Sequence, residues 1–145
     1  MPEPRVAHAL ICDEVAAVSD GLRSYVGVRS GEFRLSGDRR SKAITFSTVA
    51  WLICDAGDVP ARIAVRIYGP PGRRLLSASE VKPPIPSRRP DSTKAFYEFV
   101  MEGVSLPMLQ EGDLEVSIET ETGVLRAARL PLVFAQSTAS MQDSA

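Results

Sequence analysis

His8 is the only histidine in the chain, so any imidazole-based proton transfer or metal centre would have to use it. Alternation along a strand places His8 on the same face as Val6, Leu10 and Cys12. A His8/Cys12 pair supplies fewer ligands than a zinc site requires. The spacing therefore predicts a packed, hydrogen-bonded imidazole rather than a metal ligand or a general base.

Nucleophilic catalysis has little support in the sequence. The segment Gly27-Val28-Arg29-Ser30-Gly31 places its serine differently from the Gly-x-Ser-x-Gly elbow, and no helix is predicted after it. Cys12 and Cys54 each lie in a Leu-Ile-Cys-Asp run within or at the end of a predicted strand. This setting favours small buried residues over a disulfide or a reactive thiol. We expect no enzyme and no catalytic residues.

Carboxylates occur where predicted strands end. Asp13 and Glu14 follow the first strand, and Asp55 and Asp58 follow the long apolar stretch. Acidic side chains at such positions usually solvate turns. The alternative is a calcium site that bridges loops at one end of the fold, for which several oxygens must converge on one cation. Because no Asp-rich loop has ligand spacing, we predict no metal and no cofactor.

A proline-rich segment separates the two halves of the chain. Residues 83–93 hold four of the eleven prolines and include Ile85, Pro86, Arg88 and Arg89. They fit a PxxPxR pattern, which docks as a polyproline helix in aromatic grooves. Proline cannot donate to a strand ladder, so the other interpretation is a stiff connection that crosses from one sheet to the other.

Composition limits the partners. The chain has 145 residues, 44% of them hydrophobic, and a formal net charge of -1. This is enough apolar material for one domain with a two-layer core. The near-zero charge disfavours nucleic-acid binding. No apolar run is long enough for a membrane span and the N-terminus does not resemble a signal peptide, so the expectation is a cytoplasmic protein.

Hydropathy alternation along the chain predicts that these residues lie on or between β-strands. In the segment 62–68, Ile63, Val65 and Ile67 alternate with polar or aromatic residues, and similar alternation recurs between turn residues. This predicts an all-β fold, a two-sheet antiparallel β-sandwich of seven to eight strands, with a closed barrel as the rival. A flexible start at 1–4 and a disordered tail at 136–145 should flank a single domain at 5–135. The predicted strands are 5–13, 22–29, 44–54, 60–68, 73–81, 94–103, 113–120 and 124–135.

Local signals predict the details. The first two strands should form a hairpin, and segment 14–18 has the option of one helical turn. Tight turns are expected at 69–72 and 121–123. Leu114, Val116 and Ile118 should face inward while the residues between them face water. Pro131 predicts an edge position or a bulge in the last strand.

Two stretches of the chain resemble a known family. Ala9-Leu10-Ile11-Cys12-Asp13-Glu14-Val15, then an Asp20-Gly21 turn and Tyr25-Val26-Gly27-Val28, are similar to the "LCDEV... G... IGV" opening of an uncharacterised bacterial β-sandwich domain family. The segment 112–118, Gly123 and the alternating last strand resemble its C-terminal hairpin. The resemblance implies an immunoglobulin-like or C2-like sandwich and supplies no activity.

These patterns predict a non-enzymatic protein-interaction or structural module whose partner is a protein, including a second copy of itself. The expected contact residues are Asp13, Glu14, Asp55 and the proline segment around Ile85, Pro86, Arg88 and Arg89. The alternative is a small-ligand module for a sugar or a calcium-dependent lipid headgroup, using loops at one end of the sandwich. Phe33 is the aromatic residue that we expect on such a loop.

Overall fold

The computed structural model describes residues 4–17, 22–36, 43–81, 86, 93–106 and 110–135, and every regular element within them is a strand. The strands are β1 (Val6–Cys12), β2 (Glu14–Ala17), β3 (Arg23–Val26), β4 (Phe33–Ser36), β5 (Ile44–Asp55), β6 (Ile63–Gly69), β7 (Arg74–Val81), β8 (Lys94–Leu106), β9 (Gly112–Thr120) and β10 (Gly123–Ala135).

Two sheets pack face to face. One has three strands in the order β1-β5-β8, and the other has five in the order β4-β10-β9-β6-β7. All ladders are antiparallel except that between β4 and β10, which is parallel. The predicted all-β, two-sheet sandwich is confirmed. The immunoglobulin-like or C2-like type stays a prediction.

The core is built from alternate residues of both sheets. Leu114, Val116 and Ile118 are each 0% exposed, so their predicted inward orientation is confirmed. Burying each such side chain contributes roughly 1.5–3 kcal/mol. Ser117 differs from the prediction, because it faces outward and is only 4% exposed. Other fully covered core residues include Phe33, Phe46, Leu52, Ile63, Val65, Ile67, Leu106 and Leu132.

The predicted hairpins of the second half are confirmed. The turn at residues 70–73 joins β6 to β7, and residues 121–122 join β9 to β10. Gly72 has φ +61°, a left-handed conformation that glycine adopts without strain. The following Arg73 shares that conformation with φ 59°, and its guanidinium lies over the Tyr68 ring at 4.1 Å.

The first hairpin differs from the prediction. Residues 14–17 form strand β2 instead of a helical turn, and β2 pairs with β3. β1 pairs with β5 instead of the strand at 23–26. The reason is burial, because Ala7, Ala9 and Ile11 pack against the core when β1 joins the three-stranded sheet of the sandwich. The two-stranded β2–β3 sheet is separate.

Pro131 is accommodated differently from either prediction. β10 lies inside its sheet between β4 and β9, and its bulge falls between Arg126 and Ala128. Pro131 pairs with Asp113 of β9, and β4 begins to pair one residue later, at Leu132. Pro131 therefore lies where β10 has a ladder partner on one side only, so the N–H that proline lacks need not cost a ladder hydrogen bond.

Arg5 ties the two sheets together at one end. Its side chain is only 8% exposed, although it carries a charge. It donates to Thr120 Oγ1 at 3.0 Å, to Glu121 Oε1 at 2.9 Å and to the Asp58 carbonyl at 3.1 Å. These acceptors lie in the β9–β10 hairpin and in the β5–β6 connection. A buried guanidinium with this many acceptors is well satisfied.

Candidate functional site

Two of the three predicted acidic contact residues already pair with basic side chains. Asp13 Oδ1 accepts from Arg29 Nη2 at 2.6 Å, and Asp55 Oδ1 accepts from Lys94 Nζ at 2.6 Å. Glu14 is exposed and pairs through its main chain with Val26. The Asp13 and Asp55 carboxylates thus form ion pairs at strand ends, and Glu14 contributes its main chain to the β2–β3 ladder.

The structure does not bring Asp13 and Asp55 together. Cys12, next to Asp13, is opposite Ser47 at the start of β5, whereas Asp55 ends that strand. At about 3.4 Å per residue the two ends lie more than about 20 Å apart. Among the described residues, no three or more His, Cys, Asp or Glu side chains are grouped to hold a metal ion.

Of the predicted contact residues in the proline segment, the structure describes only Pro86. Ile85, Arg88 and Arg89 lie outside the described residues, and Pro86 is half-buried. The segment joins β7 of the five-stranded sheet to β8 of the three-stranded sheet, so its predicted role as a connection between sheets is confirmed. Its role as a polyproline ligand stays a prediction.

His8 lies on the outer face of the three-stranded sheet. It shares that face with Val6, Leu10 and Cys12 as predicted, but its side chain is exposed, so the prediction of a packed imidazole is wrong. The residue directly opposite is Trp51 of β5. β1 is an edge strand, and an edge histidine has a cross-strand neighbour on one side only. No described residue hydrogen-bonds to the imidazole.

Both cysteines are buried free thiols, as predicted: Cys12 is 0% exposed and Cys54 is 2% exposed. Cys54 belongs to the core between the sheets, whereas Cys12 lies on the opposite face of the three-stranded sheet. Burial raises the pKa of both thiols, which disfavours the reactive thiolate.

The outer face of the three-stranded sheet carries an apolar row. Val6, Ile53 and Phe96 are direct cross-strand neighbours on β1, β5 and β8. Val6 is 44% exposed, and the other two are half-buried. We call these three residues the outer row. The next cross-strand set on the same face, two residues along each strand, is His8, Trp51 and Glu98.

The β2–β3 hairpin covers the other part of this face. The rings of Tyr25 and Trp51 meet edge to face with centroids 6.2 Å apart. Glu98 accepts a hydrogen bond from Trp51 Nε1 at 2.7 Å and pairs with Arg23 of the hairpin. On the same face, Val49 of β5 is 0% exposed although it does not belong to the inter-sheet core. The hairpin therefore buries one part of the face and leaves the outer row accessible.

The outer face of the five-stranded sheet is different, because oppositely charged side chains cover it. Arg62 and Arg66 both pair with Glu119, at 2.8 Å for Arg62. Glu115 pairs with Arg73 at 2.7 Å and with Arg126 at 3.0 Å. Hydrogen bonding from Arg62 lowers the pKa of Glu119, so this carboxylate stays charged. The predicted polar face of β6 and β9 is thus a neutralised ionic layer.

A cleft of about 570 Å³ opens near the start of β5. Its polar lining includes Arg29, which pairs with Asp13 and lies 4.5 Å above the Phe33 ring, and Arg34, which pairs with Glu32. Phe33 is 1% exposed, so the expectation of an exposed loop aromatic there is wrong. Its side chain belongs to the core instead. A ligand in this cleft would have to displace existing ion pairs.

No protein-family model matches the chain, and no curated protein matches it. The similarity to the bacterial family stays a resemblance. The described part of the chain also contains no helix with the length and apolar character that crossing a membrane requires.

Sequence reasoning missed the outer row. The signal was present in the stretch 44–54, which carries apolar residues on both faces at its end. That pattern predicts a central strand covered on both sides. β5 is indeed central in its sheet, but the hairpin covers only part of its outward face, so Ile53 stays accessible.

Proposed function

We propose that the chain is a non-enzymatic protein-interaction module, and that it docks its protein partner on the outer face of the three-stranded sheet. The observation that carries this proposal is the outer row: Val6, Ile53 and Phe96 lie side by side on paired strands, and Val6 is 44% exposed. Contiguous apolar surface on a rigid sheet is typical of protein-binding sites.

The surroundings of the outer row support this proposal. Lys94 and Asp55 lie beyond the row at one side, and Glu98 lies at the other. An apolar centre with a polar rim is the usual arrangement of a protein interface. Phe96 of the outer row is aromatic, and aromatic side chains dominate binding energy in such interfaces.

The five-stranded sheet is a weaker candidate. A partner docking there would have to desolvate or displace ion pairs that already neutralise one another, such as those of Glu119 and Glu115. The isolated exposed Val124, at 59%, lies among those charges. Single exposed apolar residues are ordinary surface features.

The test is affinity capture from a lysate of the source cell, followed by quantitative mass spectrometry. The variant Val6→Asp places a charge in the outer row, and Val124→Asp makes the same change on the other sheet. We expect Val6→Asp to reduce recovery of the captured partner about tenfold or more, because one desolvated charge costs at least 1.4 kcal/mol. Val124→Asp should leave recovery unchanged.

Both variants should keep the thermal unfolding midpoint of the parent protein within a few degrees, since both positions are exposed. Equal recovery with Val6→Asp, or a loss with Val124→Asp alone, would contradict the proposal. A partner that passes this comparison should then bind the purified protein in a calorimeter with the same dependence on Val6.

A further inference from the structure

We infer that the β2–β3 hairpin is a lid over a second, concealed apolar row of the docking face, and that its opening sets how much of that face is available. The inference rests on the proposed function, since it concerns regulation of the same surface. The concealed row consists of Leu10, Val49 and Val100, which are direct cross-strand neighbours on β1, β5 and β8. We call these three residues the covered row.

The covered row lies on the same face of the three-stranded sheet as the outer row. It comes four residues along each strand, with His8, Trp51 and Glu98 between the two rows. Residues at even spacing on a strand share a face. Val49 is 0% exposed, whereas Ile53 on the same strand is half-buried. β2 contacts β5, so the hairpin accounts for this difference.

The hairpin joins the rest of the molecule at one place. Its strands begin after Asp13 and end before Gly27, and the Asp13 N–H donates to the Val26 carbonyl at 2.9 Å. Gly27 has φ +69°, and a Cβ there would lie 2.2 Å from Asp13 Oδ2, so glycine allows this close approach. Two connections that lie side by side form a single hinge, about which β2 and β3 can turn as a unit.

Contacts beyond the covered row, away from the hinge, hold the lid closed. The Tyr25 ring meets the Trp51 ring edge to face at 6.2 Å, and Arg23 pairs with Glu98. The two strands of the hairpin have four residues each and form a ladder only with one another. A two-stranded hairpin is marginally stable by itself. These side-chain contacts therefore decide between the closed and the open lid.

Opening would join the outer row, Trp51 and the covered row into one continuous surface. At about 3.4 Å per residue, the offset of the covered row extends the apolar surface by about 14 Å along the strands. Local opening of a small element costs less free energy than global unfolding. A partner that binds the open form gains apparent affinity in proportion to the open population. The lid thus regulates docking.

The native thiols report on the lid. Cys12 lies on the outward face next to the hinge, Cys54 lies in the core between the sheets, and both are buried. Alkylation of the folded protein by iodoacetamide, with peptide mass spectrometry to assign each thiol, measures how often each becomes exposed. We expect Cys12 to react at least tenfold faster than Cys54. The Cys12 rate should change little in low urea, whereas the Cys54 rate should rise steeply because it requires global unfolding.

Variants separate lid opening from global unfolding. Tyr25→Ala removes the ring contact with Trp51 and should raise Cys12 alkylation about tenfold. Ile118→Val is the control, because Ile118 is 0% exposed in the core between the sheets. It should speed alkylation of Cys54 and leave the Cys12 rate unchanged. Equal urea dependence of the two thiols, or an unchanged Cys12 rate in Tyr25→Ala, would overturn the inference.

A second pair of thiols tests the covered row itself, away from the hinge. In chains that carry Cys12→Ala and Cys54→Ala, Val49→Cys places a thiol in the covered row and Val65→Cys places one in the core between the sheets. Both valines are 0% exposed, so the two changes are matched. We expect the thiol of Val49→Cys to react at least tenfold faster than that of Val65→Cys. Equal rates would refute the lid.

The lid and the docking function can fail separately. Alkylation uses the purified chain, so it tests the lid without a partner. If the lid regulates docking, Tyr25→Ala should recover the Val6-dependent partner from a lysate of the source cell about tenfold more efficiently than the parent protein. Unchanged recovery would refute this regulation and leave docking at the outer row intact. A lid that opens in a protein with no Val6-dependent partner would refute the docking function and leave the opening itself established.

Discussion

The two sheets of the sandwich differ in the side chains that cover their outward faces. Each strand must present alternate residues away from the core, and the five-stranded sheet covers that face with paired arginines and glutamates such as Arg62 and Glu119. The three-stranded sheet presents the outer row and a tryptophan, and covers part of them with the β2–β3 hairpin. Ion pairs cover the outer face of the five-stranded sheet, and the β2–β3 hairpin covers part of the outer face of the three-stranded sheet.

The apolar face has more binding energy to offer a partner than the charged face. Ion pairs at a surface contribute little to stability, and they also leave little for a partner to gain. A half-exposed apolar row costs little in the free protein, yet gains roughly 25 cal/mol for each square ångström of apolar surface removed from water. The contrast therefore predicts that the two faces respond differently to equivalent substitutions.

The largest contrast is expected between Trp51 on one face and Tyr68 on the other. Trp51→Ala removes the contact with Tyr25 and the hydrogen bond to Glu98, and should lower the free energy of unfolding by about 3 kcal/mol. Tyr68→Ala on the five-stranded sheet removes a stack on Arg73 and should cost about 1 kcal/mol or less. Urea unfolding of both variants measures the difference.

The same pair of variants reports on the hairpin. Loss of Trp51 should increase hydrogen exchange in β2 and β3, because their ring contact to the sheet is gone, while β6 and β7 stay protected. Trp51→Phe should restore part of the stability, since it keeps an aromatic ring without the indole N–H. Equal costs for Trp51→Ala and Tyr68→Ala would erase the contrast between the faces.

The fold was predictable where alternation was long. The segment 62–68 and residues 114–118 carry unbroken period-two patterns, and both form strands with the predicted inward residues. The short β4 was missed because two inward residues, Phe33 and Leu35, give too little pattern to distinguish a strand from a loop. The pairing of β1 was also missed, because which strands become neighbours depends on burial across the whole chain.

The candidate site was less predictable than the fold. Asp13 and Asp55 attract attention as acids at strand ends, but their ion-pair partners are distant in sequence or at the start of another strand. The outer row depends on the alignment of three strands that span residues 6 to 96. Alternation assigns a residue to a face, but only pairing register shows which residues become neighbours on it.

Arg5 differs from the arginines of the charged face because its own side chain is only 8% exposed, while its partners Asp58 and Glu121 are partly exposed. Arg5→Ala removes hydrogen bonds to Thr120, Glu121 and Asp58, and should destabilise the protein by about 2 kcal/mol. Arg5→Lys keeps the charge but loses the forked geometry, so we expect it to recover only part of that stability. Thermal and urea unfolding at neutral pH provide the measurement. Full recovery of stability in Arg5→Lys would show that the positive charge alone, without the forked geometry, accounts for the contribution of Arg5.

Glu121, one of the Arg5 partners, makes the stability of the protein depend on pH. Burial by itself would raise the pKa of this carboxyl, but hydrogen bonds from its own N–H, from Arg5 and from the Ala61 N–H lower it from 4.5 to about 2. A folded-state pKa below the unfolded value stabilises the protein above pH 4.5, and this contribution is lost as the pH falls toward 2. Glu121→Gln should flatten the stability profile in that window, measured by unfolding from pH 2 to 7. An unchanged profile would contradict the assigned pKa.

The smallest effect is expected on the charged face itself. Glu115→Gln weakens its contacts with Arg73 and Arg126, and should cost about 1 kcal/mol at low salt because the amide still accepts hydrogen bonds. Burial by itself would raise the pKa of Glu115, but the hydrogen bond and charge of Arg73 and the charge of Arg126 lower it, so the charged form is the one replaced at neutral pH. Salt screens such pairs, so the difference between variant and parent should shrink in 1 M salt. Arg5→Ala should keep most of its cost there, because its partners surround a side chain that is only 8% exposed. If 1 M salt reduced the costs of Arg5→Ala and Glu115→Gln equally, the Arg5 contacts would be no better shielded from solvent ions than the ion pairs on the outer face of the five-stranded sheet.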